Sequence, residues 1–280
     1  MTGRYPLVFM AFLFAACQSA KPIQTSIANP QSVLPDGDYI AVIQPYDTTR
    51  IPKDYYVGSI STPAKGRTAV EGFSDIMKTY TSIAQQNGAN IIRLLNVRYA
   101  GSSRESDKVA ALLYRVPDIR EYEKKIFWSS DRKLVWEDFK GGIPDTMRED
   151  NNYSSFASIG IQHRSNASFL VGTDRFFVLS SFDCNKSWFR PYAYFQTNYL
   201  DFQQGLFDLT ELYAKKMRQK LASKTIRKKE KAAFTARVDR EFGQQYKEAE
   251  AQYVMETRGG SNTEALKTWH TKIWNQLSEK

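Results

Sequence analysis

The sequence predicts an α+β protein in which strands and helices are segregated along the chain, and three observations carry that expectation. Between Asp38 and Val116, four runs rich in aromatic and β-branched residues enclose one stretch of helical period. From Phe127 to Asp183 the strong signals are strand-like, and from about Tyr199 the chain reads as helix almost to its end. At 280 residues, 42% apolar and 14% aromatic, the chain buries enough surface for one or two domains and is excluded from the disordered class.

The first seventeen residues follow a logic of their own. "MTGRYPLVFMAFLFAAC" sets one basic residue, Arg4, before an apolar run from Tyr5 to Ala16, with small Ala15 and Ala16 ahead of Cys17. That run is too short to span a bilayer as a permanent helix. The order resembles a bacterial lipoprotein signal peptide, whose cysteine becomes the lipidated first residue of the mature chain. The alternative is an ordinary cleaved secretory peptide. The resemblance implies lipidation at Cys17 and, with Gln18 following, an outer-membrane location facing the periplasm. Cys184 is the only other cysteine, so lipidation of Cys17 leaves no pair for an internal disulfide. Residues 18–37, polar and with three prolines, read as a flexible tether.

The small domain expected at 38–116 has one helix on a sheet of about four strands. "YIAVIQ", "YYVGSI", "IIRLLNVRYA" and "VAALLYRV" are the strands; Phe73, Ile76, Met77, Tyr80, Ile83 and Ala84 fall on one helical face, which Gly88 is placed to stop. The charged stretch "PDIREYEKKI", residues 117–126, reads as a linker to a second domain at 127–280. In that domain "YSSFASIGIQ" and "RFFVLSSFD" are strands. Leu206, Leu209, Tyr213 and Met217 form one helical stripe, and Phe234, Val238, Phe242, Tyr246 and Tyr253 a second; both read as core seams.

Charge is unevenly placed. Residues 214–250 hold twelve Lys or Arg against five Asp or Glu, so seven of the nine net positive charges sit there. A nucleic-acid partner is disfavoured, since "RKKEK" has no interleaved aromatics and an exported chain rarely meets nucleic acid. A solvated helix face is the plain reading, and attraction to anionic headgroups or an acidic protein is the other. The chain has two histidines, His163 and His270, too few for a histidine-based metal site or a serine–histidine hydrolase on ordinary lines. Cys184 in "SFDCNKSW" reads as a buried structural thiol.

The second domain resembles a bacterial family of predicted secreted zinc-dependent proteases. The W-x-D-F-x-G block of that family appears as "LVWEDFKG" from Leu134 to Gly141, and Phe182 precedes its Ser187–Trp188 pair. The family's H-E-Q-x-H helix is matched at Leu200, Gln204, Phe207, Asp208, Glu211, Leu212, Tyr213 and Ala214, and its later motif at Tyr253, Glu256, Thr257, Gly260 and Trp269. The ligands are missing. Phe202 and Leu206 stand at the two histidine places, Gln203 at the glutamate place, and Gly259 at the third histidine place.

Two histidines at i and i+4 share a zinc ion while the glutamate takes a proton from bound water; hydrocarbon, glycine and a carboxamide supply none of this. The resemblance therefore implies a zincin-like scaffold without catalytic, cofactor or metal residues: a noncatalytic, lipid-anchored envelope protein that binds a protein or peptide segment near Phe202, Gln203, Leu206 and Gly259. Two alternatives stand beside it. One is a metallopeptidase with unorthodox ligands such as Asp208 and Glu256; the other is an envelope spacer without a groove. Asp201, Asp208, Glu211 and Glu256 are oxygen donors able to collect a weakly held cation, while Asp208 and Glu211, three apart on one face, read more commonly as helix capping and salt bridging with Lys215 or Lys216.

Overall fold

The computed structural model describes residues 20–65, 68–69, 72–100, 106–149, 153–166, 175–222 and 228–279, leaving aside the side chains of 163–166, 175–177, 197, 222, 228–229 and 231. The signal-like segment and Cys17 lie outside the described residues. The architecture is α+β, with the strands of the second half preceding three long helices.

The first half is built on a five-stranded sheet. Its strands are β1 (Gln24–Ile27), β2 (Ala41–Ile43), β3 (Tyr56–Ser61), β4 (Ile91–Arg98) and β5 (Lys108–Tyr114), in the spatial order β1-β3-β5-β4-β2. Only the β2–β4 pair is parallel; Ala41 sits opposite Ile91. Helix α1 (Phe73–Gln86) lays Ile76, Tyr80 and Ala84 on the sheet, spaced as the sequence predicts, and all three are fully buried. The Tyr80 hydroxyl stays satisfied in that core by donating to the Val109 carbonyl at 2.8 Å. At the helix end Gly88 has φ +69°, and a Cβ there would stand 2.3 Å from the Ser32 carbonyl, so both conformation and space demand glycine.

The fifth strand corrects the tether expectation. Gln24–Ile27 pairs antiparallel with β3, and Leu34 enters the same core as α1. The reason lies in "PIQTSIANP", where Ile23, Thr25 and Ile27 alternate toward one face and Pro22 and Pro30 flank the strand without interrupting it. Residues 117–126 are likewise no free linker. Ile119–Glu121 forms a 3-10 turn, Ile119 and Tyr122 pack under the first sheet, and Lys125–Phe127 is strand β6.

In the second half β6 pairs with β9 (Arg175–Asp183), which also pairs with β8 (Ile159–Asn166). A separate two-stranded ribbon joins β7 (Ser155–Phe156) to β10 (Trp188–Phe189). Helices α2 (Thr197–Ala222), α3 (Lys228–Thr257) and α4 (Thr263–Ser278) follow. Phe182 and Phe207 meet between the sheet and α2 in a cluster with Trp136, Phe139 and Cys184. Met217 packs with Phe234, Val238 and Phe242 where α2 meets α3, so both predicted seams are core. Among the described residues, no helix is long and apolar enough to cross a membrane.

A buried polar chain joins the halves. Arg132 grips Asp138 through both its Nη atoms, at 2.6 and 3.0 Å, and reaches Glu123 at 3.1 Å. Glu123 in turn accepts the Tyr39 hydroxyl at 2.8 Å. Burial pushes the Glu123 carboxyl upward despite the guanidinium beside it, and burial together with Glu123 pushes the Tyr39 phenol up as well. Removing the cation from such a group leaves two carboxylates buried together. Arg132→Met is expected to lower unfolding free energy by about 3–5 kcal/mol, read from urea denaturation midpoints.

Burial also drives the Cys184 thiol up to about 12, keeping it protonated near neutral pH. In a Cys17→Ser chain, a maleimide at pH 8 is expected to leave the native protein unlabelled and to modify Cys184 only in denaturant.

Candidate functional site

The four residues named from the sequence as a candidate groove come together. Phe202, Gln203 and Leu206 on α2 and Gly259 after α3 line one cleft of about 720 Å³. Its opposite wall is the β7 ribbon with Tyr153, Ser155 and Phe156, and its third side is the last two turns of α3 with Glu250, Val254 and Met255. Phe156 and Met255 are exposed at 48% and 71%, so the rim presents apolar surface to solvent.

Phe202 leaves the cleft mostly empty because it turns into the core. Its ring stacks on Tyr253 at 5.2 Å and 15°, and Tyr253 meets Trp269 edge-on at 5.5 Å. The Tyr253 hydroxyl donates to the Phe202 carbonyl at 3.0 Å, crossing from α3 to α2. Burial pushes that phenol well above its ordinary range, with Asp208 and Asp201 adding to the effect. The close approach depends on Gly205, where a Cβ would fall 2.2 Å from the Tyr253 oxygen and 2.7 Å from His270 Nε2. Phe202 thus packs its ring into the core beside the cleft, and the cleft itself stays open.

Gln203 sits on the cleft floor at 3% exposure. Its Nε2 donates to the Ser155 hydroxyl at 3.0 Å and to the Ser155 carbonyl at 3.4 Å. A carbonyl can only accept, which fixes the amide orientation and directs Oε1 away from Ser155. That buried oxygen has no hydrogen-bond partner.

Gly259 belongs to a turn with three successive residues of positive φ. Arg258 has φ +51°, Gly259 +63° and Gly260 +100°. The Gly260 carbonyl accepts the Asn198 side-chain amide at 2.9 Å, which locks the turn to the start of α2. A Cβ on Gly259 would meet nothing within 4 Å, so this place faces open space.

The carboxylates named from sequence are elsewhere and engaged. Asp208 accepts Trp128 Nε1 at 2.8 Å, Trp274 Nε1 at 3.1 Å and Gln204 Nε2 at 2.7 Å. Glu211 takes the Ser180 hydroxyl and Arg218. Neither pairs with the expected lysines: Lys215 caps the carbonyls at the end of α4, and Lys216 lies over the Tyr213 ring. The Glu256 carboxylate accepts Gln252 and the Trp269 indole, whose hydrogen bonds hold it below the usual carboxylate range. His270 Nε2 lies 3.1 Å from the Asp201 carbonyl, while the His163 side chain is outside those described. Among the described residues no group of three or more His, Cys, Asp or Glu side chains is gathered as a metal site requires.

Sequence reasoning missed the walls contributed by Ser155, Phe156 and Arg258. Positive φ at an arginine has no sequence signal, although a Gly–Gly pair such as Gly259–Gly260 is in general a mark of a turn. Comparison with protein-family models, with curated proteins and with solved structures returns no match for this chain.

Gly205→Ala tests the α2–α3 contact beside the cleft. It is expected to destabilise the fold by about 1–3 kcal/mol through overpacking against Tyr253, measured by thermal or urea unfolding.

Proposed function

We propose that the protein is a noncatalytic, lipid-anchored envelope lipoprotein whose second domain is a degenerate zinc-protease scaffold that binds a peptide or protein segment. One observation carries the binding part of this reading: the residues at the lost ligand and base places line a single open cleft with an apolar rim and a buried, unpartnered amide oxygen. A rim of exposed aromatic and aliphatic groups around a few fixed polar atoms is the surface a peptide segment occupies. Membrane attachment rests on the Arg4-to-Cys17 pattern alone, and the periplasmic outer-membrane location rests on Gln18.

The metallopeptidase alternative is the weaker reading on chemical grounds. Asp208 already accepts three hydrogen bonds, two of them from indoles that cannot turn to donate elsewhere. The Gln203 amide cannot serve as a base near neutral pH.

Two measurements test the proposal. Purified protein is expected to carry no stoichiometric zinc by elemental analysis and to leave casein and peptide libraries uncleaved; chelator-sensitive cleavage would overturn it. In the second, the variant carrying Phe202→His, Gln203→Glu, Leu206→His and Gly259→His is expected to gain zinc binding at micromolar or tighter affinity by calorimetry. Such a gain would support descent from a zinc site, and a folded quadruple variant indifferent to zinc would argue against it.

A further inference from the structure

Three residues of the cleft form a charged ruler. Glu250, Val254 and Arg258 follow one another at intervals of four along α3 and just past its last residue, and all three line the cleft. At 1.5 Å of rise per residue they stand roughly 6 Å apart, in the order anion, hydrocarbon, cation. An extended peptide shows its same-face side chains at intervals of about 6.6 Å, nearly the same step. A ligand laid along α3 thus meets one group of this ruler with every second residue.

The cationic end of the ruler is exposed to solvent. Among the described residues Arg258 has no ion-pair or hydrogen-bond partner for its guanidinium, and its backbone is held at φ +51°, the left-handed region that a residue with a Cβ rarely adopts. Glu250 spends one carboxylate oxygen on the Tyr246 hydroxyl at 3.2 Å. Across the cleft floor, Gln203 Oε1 is buried from solvent. A side-chain carboxylate supplies an ion-pair partner for Arg258.

Resting on the reading that the cleft takes a peptide, we infer that it selects an extended segment with an acidic side chain at one position, an apolar one two residues along and a basic one two further. The acid pairs with Arg258, the apolar group lies against Val254 and Leu206, and the base pairs with Glu250. The ligand is an internal segment, because both charged ends of the ruler are met by side chains.

The test uses the full chain and a fluorescein-labelled nonapeptide, Ser-Thr-Asp-Thr-Leu-Thr-Lys-Thr-Ser with blocked ends, followed by anisotropy. Its companions are the reversed order, a version with Asn and Gln for the charged residues, one with Asp at both charged places, and one with Asp, Leu and Lys adjacent. Either order of the spaced charges is expected to bind. The double-Asp and the adjacent versions are expected to bind at least about 3- to 10-fold more weakly, the range for one or two partly exposed ion pairs. Arg258→Gly and Glu250→Gln should each weaken the parent peptide by a similar factor while leaving the neutral version unaffected. Arg258→Gly also relieves the left-handed strain, so an unchanged or raised melting temperature would show that lost binding comes from lost charge. Equal binding of neutral and charged peptides overturns the charge selection and leaves the peptide-binding reading standing. Failure of these peptides and of an unbiased peptide library alike overturns both.

Discussion

The second half of the protein depends on one buried carboxylate. Asp208, 1% exposed in the middle of α2, holds the indole of Trp128 just beyond β6, the indole of Trp274 on α4 and the amide of Gln204 on its own helix. Gln204 passes the connection on, since its Oε1 accepts the Leu134 backbone N–H at 2.8 Å. One turn later Asp138 accepts the Val135 N–H and pairs with Arg132, which reaches Glu123 and through it Tyr39 beside β2. A charge this deep is costly unless each lone pair is met, and here each carboxylate oxygen has an N–H donor. Lys133, 4.0 Å above the Trp274 ring and 4.0 Å from the Asp208 carboxylate, supplies the nearby positive charge.

That network has a consequence for the cleft. The start of α2 is joined directly to α3 and the turn after it: Phe202 stacks on Tyr253, the Tyr253 hydroxyl binds the Phe202 carbonyl, and Asn198 holds the Gly260 carbonyl. Buried stacking and hydrogen bonds of this kind contribute a few kcal/mol between them. The open volume beside Phe202, Gln203 and Gly259 is thus bordered by packed and hydrogen-bonded segments.

Periodicity made much of this readable. The α1 face, the seams of α2 and α3 and the paired strands β4, β5 and β9 follow from spacings of two, three and four in runs long enough to be unambiguous. The misses were short or nonlocal. Strand β1 is four residues long and finds stability only by completing the edge of β3, a partner some thirty-five residues away. Glu123 and Arg132 look like surface charges in "REYEKKI" and "SSDRKL", because nothing local tells a solvated guanidinium from one that will be enclosed with two carboxylates. Of the site, the four positions at the lost ligand and base places were legible by alignment to a motif, and the far wall from Tyr153 to Phe156 was not, since a two-residue strand leaves no period to read.

The spacer alternative must account for two local costs at the same place. A buried carboxamide oxygen without a donor costs roughly 1–3 kcal/mol, and an arginine in the left-handed region roughly 1–2 kcal/mol more. Either is easily removed: leucine would suit the buried Gln203 position if Ser155 changed with it, and glycine, already present at 259 and 260, would suit position 258. A protein that served only to hold distance would gain stability from both changes and lose nothing. The buried charges of the polar network are met throughout, as every oxygen of Asp208 and both ends of Arg132 show. A strained arginine at the end of a row of opposite charges, bordering a cleft with an apolar rim, is what a surface retains when a ligand uses that charge.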